Sequence, residues 1–285
     1  MLSMHRRAAL LAAGIALLAV APAGPAAAVP FGANVVTDFN FDSVALGAAL
    51  PTTFPAVDPT PQHTVYAVGG FPDSGPVTGT ATVQNVGALN HAALMTTTQG
   101  GIGALYVDTQ FSTTQDHVVV SFDINVVDVP TTGLPQSTTN APDGQAFVIQ
   151  AFRNGPNAQN RVFRFVATPT SATGGNFAMR NNTDDDLITI GSYTEGTTYH
   201  VEIQADFPSQ TVDVLLDGIL VADDLPFVSL TTNLFELFVF QNGIEGQTNA
   251  VAFDNLLTYE IPEPAGAALL GSGLLGLALR RRRAG

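Results

Sequence analysis

Residues 199–221 read YHVEIQADFPSQTVDVLLDGILV, and this stretch decides the fold. Tyr199, Val201, Ile203 and Ala205 alternate with His200, Glu202, Gln204 and Asp206. A period of two puts one set on a buried face and the other on the opposite face of a β-strand. After a short polar break, Val212, Val214 and Leu216 repeat the alternation, and Asp217-Gly218 follows directly. Asp-Gly supplies the two positive-φ positions of a tight hairpin, so Ile219 to Val221 reads as the returning strand.

The same period extends outward along the chain. In 116–129, Val118, Val120, Phe122, Ile124 and Val126 fall on one face and Ser121, Asp123 and Asn125 on the other, the pattern of a strand with one solvated face. Residues 234–240 are almost continuously apolar, as in a strand covered on both faces, and 250–259 alternate through Val251, Phe253, Leu257 and Tyr259. Shorter runs near 34–41, 63–69, 80–86, 91–97, 103–111, 145–153, 160–167, 176–180 and 187–192 bring the expectation to roughly fourteen strands. No convincing helical stretch and no internal repeat interrupt them. Pro- and Gly-rich connectors at 51–61, 69–79, 129–144 and 168–175 read as loops, so residues 29–261 are expected to form one all-β, two-sheet sandwich.

The hairpin phrase resembles one in concanavalin A-like jelly rolls, laminin-G-like domains included, over about 25 residues. That resemblance implies a jelly-roll sandwich.

Composition narrows the function classes. At 46% hydrophobic and 12% charged residues the chain can bury a core and is unlike a disordered one. Cysteine is absent, which removes disulfides and lipid-modified cysteines from consideration. Six of the ten basic residues (Arg6, Arg7 and Arg280 to Arg283) lie in the ends, leaving Arg153, Arg161, Arg164 and Arg180 against nearly all the acids. A body charge of roughly −20 repels nucleic acid.

The two ends address the protein. Residues 1–28 combine a basic start, an apolar stretch at 8–21 and a small-residue site at Ala26-Ala27-Ala28, the plan of a signal peptide. In 262–285, Pro262-Glu263-Pro264 precedes an uncharged apolar segment at 265–279 and the cluster Arg280, Arg281, Arg282 and Arg283. Fifteen residues fall short of the roughly 20 of an ordinary membrane helix, and the arginines would hold the end cytoplasmic. This tail resembles the PEP-CTERM sorting signal of Gram-negative, exopolysaccharide-producing bacteria, catalogued also as an ice-binding protein C-terminal domain. The resemblance implies export, transient retention in the inner membrane through a single transmembrane helix, processing by an exosortase-type enzyme, and delivery to the cell surface or extracellular matrix. Gly271-Ser272-Gly273-Leu274-Leu275-Gly276 matches a dinucleotide-binding spacing, but neither the strand before it nor the βαβ unit after it is present.

Few constellations carry chemistry. A glycoside hydrolase needs two carboxylates about 5–5.5 Å or about 6.5–9.5 Å apart, and no paired-acid string occurs. Glu236, alone in an apolar strand, is the candidate for a single buried carboxylate. Hydrolase and zinc-peptidase signatures are missing, and the body histidines are scattered. Calcium is the cofactor to consider, at Asp184, Asp185 and Asp186, while Asp223-Asp224 follow the hairpin; a solvated acidic turn explains the same residues. Arg161 and Arg164 could grip acidic sugars through forked hydrogen bonds, or balance the neighbouring acids. Without tryptophan, and with five tyrosines, the chain has little for stacking on sugar rings. Thr78, Thr80 and Thr82 form one non-recurring threonine run, too little for a regular ice-binding array. The expectation is therefore a non-catalytic surface or matrix protein, structural or glycan-associated. A polysaccharide-cleaving hydrolase or lyase on the same fold is the alternative, with ice binding third.

Overall fold

The computed structural model describes residues 33–42, 44–49, 65–69, 79–97, 101–108, 116–129, 147–152, 161–180, 187–228, 236–243 and 247–261. They form fifteen strands: β1 Asn34–Phe39, β2 Val65–Gly69, β3 Gly79–Val86, β4 Leu89–Thr97, β5 Gly101–Asp108, β6 His117–Asp128, β7 Phe147–Phe152, β8 Arg161–Ser171, β9 Gly174–Arg180, β10 Leu187–Thr194, β11 Thr198–Asp206, β12 Thr211–Leu216, β13 Ile219–Pro226, β14 Glu236–Gly243 and β15 Asn249–Ile261. No helix among the described residues is long and apolar enough to cross a membrane. The two terminal segments, with Pro262 to Pro264 and Arg280 to Arg283, lie outside the described residues.

All pairings are antiparallel, in two sheets. Sheet A runs β13-β12-β11-β6-β15-β4-β3, with β1 also on β15, and sheet B runs β10-β9-β8-β7-β14-β5-β2. The inner faces meet in one core. From sheet A, Phe122 lies 5.6 Å from Phe253, and across the interface it lies 5.7 Å from Phe165 and 6.4 Å from Phe147, ring centre to ring centre. Phe165 continues to Phe177, and Phe177 meets Tyr199 edge-on at 5.2 Å. In a chain without cysteine, this phenylalanine seam between the sheets is the main cohesive element.

Strand β11 buries Val201, Ile203 and Ala205, and β12 buries Val212, Val214 and Leu216, as the alternation requires. Asp217 and Gly218 take φ of 49° and 77°, the two positive values of a type I′ hairpin. Strand β13 extends to Pro226, well past the expected Val221, because it pairs along the whole of β12 as far as Thr211, its register shifting twice on the way. Asp223 and Asp224 fall in this irregular part of the strand, with Asp224 at a φ of 53°. Bulges, acids and a proline on an edge strand discourage pairing with another chain.

Strand β6 departs from the expected solvated face. Ser121 is 2% exposed and Asn125 fully buried. The cause is position: β6 is central, between β11 and β15, and Asn125 Nδ2 donates to Gly196 O and to Thr198 Oγ1 at 3.0 Å each, drawing the β10–β11 turn over it. Outward-pointing residues are thus enclosed by their neighbours' side chains and turns.

Candidate functional site

The outer face of sheet A gathers polar residues from three adjacent strands. In the β6–β11 ladder His200 stands opposite Asp123, and Glu202 opposite Ser121. On the other flank of β6, β15 sets Asp254 opposite Asp123 and Leu257 opposite Ser121. Directly opposed residues in an antiparallel pair have Cβ atoms about 4.5–5.5 Å apart, so Asp123 has His200 on one side and Asp254 on the other.

The hydrogen bonds are specific. His200 Nδ1 lies 2.7 Å from Asp123 Oδ1, and Asn255 Nδ2 donates to Asp123 Oδ2 at 2.8 Å. His200 Nε2 faces Ser121 Oγ at 3.4 Å. The Asp217 turn completes the frame: the His200 N–H donates to Asp217 Oδ1 at 2.9 Å, and the Asp217 N–H donates to His200 O at 2.8 Å. Next along β11, Gln204 Nε2 donates to Glu202 Oε1 at 2.5 Å. His200 and Asp123 retain 16% and 20% side-chain exposure, so the pair can be reached from solvent.

The surroundings bias two groups in the same direction. The bond to Asp123 raises the His200 pKa above the usual 6.5, aided by the fields of Asp123, Glu202 and Asp217 and opposed by burial. Burial lifts Asp254 from 3.8 to about 6, against hydrogen bonds from the Asn255 and Phe41 N–H groups, with Asp42 and Asp123 adding repulsion. The order Ser121, His200, Asp123 follows that of a nucleophilic relay. Yet Ser121 is buried, and β6 is paired on both flanks, so its backbone N–H groups serve the ladders rather than a developing oxyanion. What remains is a partly exposed imidazole with a fixed carboxylate partner, able to hold or pass a proton.

A second acidic group lies on the β12–β13 edge. Carboxylate oxygens of Asp213, Asp223 and Asp224 lie within 4.8 Å of one another. Asp213 Oδ1 accepts the Asp224 N–H at 2.8 Å, and Thr211 Oγ1 lies 3.4 Å from Asp224 Oδ1. All-oxygen donors suit a hard divalent cation.

Of the residues singled out from the sequence, Asp223 and Asp224 fall in this second group. Glu236 opens β14 in sheet B, opposite Phe152, and Arg161 opens β8, also opposite Phe152; the described side chains include neither. Arg164 on β8 is 2% exposed, enclosed in the protein rather than presented to solvent, and Arg180 is 9% exposed. Asp184 to Asp186 and Arg153 lie outside the described residues. Sequence reasoning did not assemble Asp123, His200, Asn255 and Asp254. Alternation marked Asp123 and His200 as outward, but the strand pairing that joins them carries no local signal.

No protein-family model and no curated protein matches the chain. Among solved structures, the chain is similar to a sialidase at 16% identity and a TM-score of 0.49, covering 70% of this chain but only 17% of that one. It is similar to the catalytic domain of a glycoside hydrolase family 131 protein from Coprinopsis cinerea at 14% identity and a TM-score of 0.49, covering 80% and 95%. An endo-β-1,4-glucuronan lyase from Trichoderma reesei follows at 13% identity and a TM-score of 0.44, covering 64% and 87%. The chain thus spans about a sixth of the sialidase's length.

Proposed function

We propose that this protein is exported to the cell surface or extracellular matrix and that its sandwich, a jelly roll of the concanavalin A-like kind, engages polysaccharide on the outer face of sheet A. One observation carries the reading: Asp123, His200 and Asn255 form a hydrogen-bonded set of planar polar side chains, with the Glu202–Gln204 pair beside it. Sugar hydroxyls are recognised by such groups when neighbours fix their orientation. The acidic body opposes a polyuronate, so a neutral glycan fits this face better. The signal-peptide plan of residues 1–28 and the Pro262-Glu263-Pro264 tail support export and sorting by an exosortase-type partner. Binding to immobilised neutral and acidic polysaccharides tests the reading. Retention of a neutral glycan, weakened at least tenfold by His200→Ala with Gln204→Ala, is the expected result. No retention of any polysaccharide by the native protein would overturn it.

A second reading, a polysaccharide-cleaving enzyme on the same face, has its own support in His200. Its Nδ1 is held by a carboxylate, its pKa is raised, and the ring is partly exposed, which are the attributes of a general acid or base. Release of new reducing or unsaturated ends from a bound glycan, abolished by His200→Ala, would favour catalysis over binding alone.

A further inference from the structure

One flank of β15 serves two strands in turn: β4 pairs with Asn249 to Phe253, and β1 with Leu256 to Glu260. Asp254 and Asn255 fall in the gap between them, where Asn255 takes a φ of 53° and the register against β6 shifts. The chain leaving β1 turns over this gap. Phe41 is fully buried, its N–H bonds the Asp254 carboxylate, and Val44 N–H closes the turn on Phe41 O at 2.8 Å. The Asp42 N–H is held by Asn40 Oδ1 at 3.2 Å.

Within that enclosure Asp254 is 2% exposed, and its Oδ1 is buried with no hydrogen-bond partner. A carboxylate oxygen removed from water without a donor is costly and calls for a counter-ion or a proton. Asp42 directly follows Phe41, whose N–H bonds the Asp254 carboxylate, and its charge acts on Asp254. Asp123, on the far side, has each oxygen engaged, by His200 Nδ1 and by Asn255 Nδ2, and these bonds fix its carboxylate toward those partners.

We propose that the gap between β1 and β4 is a divalent-cation site in which Asp254 and Asp42 are the carboxylate ligands and calcium is the ion that fits. Calcium tolerates an irregular, all-oxygen shell completed by backbone carbonyls and water, whereas zinc prefers nitrogen and sulfur, and magnesium demands near-octahedral order. The ion would neutralise the buried carboxylate and clamp the turn around Phe41 and Asp42 onto the middle of sheet A. This site is separate from Asp213, Asp223 and Asp224, of which Asp223 and Asp224 are exposed and none carries a buried, unsatisfied oxygen.

The test is thermal unfolding of the full chain, stripped with EDTA and titrated with calcium chloride. The native protein is expected to melt about 5 °C higher at saturating calcium. Asp213→Asn should keep the calcium midpoint, and Asp254→Asn should abolish the shift. Asp42→Asn, at an exposed position that leaves the core intact, should raise the midpoint at least tenfold and serves if Asp254→Asn fails to fold. No calcium shift in the native protein, or a shift kept by Asp42→Asn and lost in Asp213→Asn, would overturn the site.

Discussion

Asp254 on β15 stands directly opposite Asp123 on β6, two acids on one sheet face with opposite treatment by their neighbours. Asp123 is held by His200 and Asn255, whereas Asp254 is buried with one oxygen unsatisfied. Like charges directly across an antiparallel pair are destabilising unless something else compensates. The imidazole serves that purpose for Asp123, and the proposed cation, or a proton, would serve it for Asp254.

Acidification should therefore stabilise the metal-free protein. Both shifts are upward: Asp254 from 3.8 to about 6, and His200 above 6.5. A raised folded pKa means stability present below the unfolded value and lost as pH rises through the folded one. The Asp254 contribution, about 3 kcal/mol, should disappear between pH 4 and pH 6, and that of His200 above pH 6.5. Melting in EDTA across this range should show a steady decline. Asp254→Asn should flatten its acidic part, and an unchanged slope would refute the assignment.

His200→Ala should remove the partner of Asp123 and the bridge between β6 and β11. A hydrogen bond to a charged group contributes about 1.5–3 kcal/mol, so the melting temperature should fall by roughly 4–9 °C at pH 6. As pH rises through the raised pKa and the imidazole gives up its proton, the loss should shrink, which thermal scans at pH 6 and at increasing pH would register.

Two glycines with positive φ should respond differently to alanine. A Cβ on Gly87 would meet Asn125 Nδ2 at 2.6 Å, and that amide is buried with two acceptors to keep. At Gly218 nothing lies within 4 Å. Gly218→Ala should cost about 1 kcal/mol from backbone strain, and Gly87→Ala at least about 2–3 kcal/mol, in denaturant titration.

Phe122→Ala should cost about 3–5 kcal/mol, since its ring contacts Phe147 and Phe165 in one sheet and Phe253 in the other. Phe122→Leu, which keeps most of the volume, should lose clearly less. Equal losses in chemical denaturation would mean that the seam does not rely on this ring.

Much of the fold could be read from residue order. Strands β11 and β12 and the Asp217-Gly218 turn stand where alternation put them, because period-two patterning and positive-φ residues are local properties. The extension of β13 to Pro226 was not readable, since Asp223-Asp224 has the composition of a turn and becomes a strand irregularity only against β12. Ser121 and Asn125 likewise have solvent-facing character and lose it to the strands and the turn that enclose them.

By itself the sequence determined which residues face inward, how the central hairpin closes and how strongly acidic the body is. Only the tertiary structure decided which outward residues meet. His200 lies 77 residues from Asp123, and Asn255 lies 132 residues from it. Alternation assigns a side chain to a face, but the ladder register between distant strands selects its neighbours, and that register is settled by packing of the whole core.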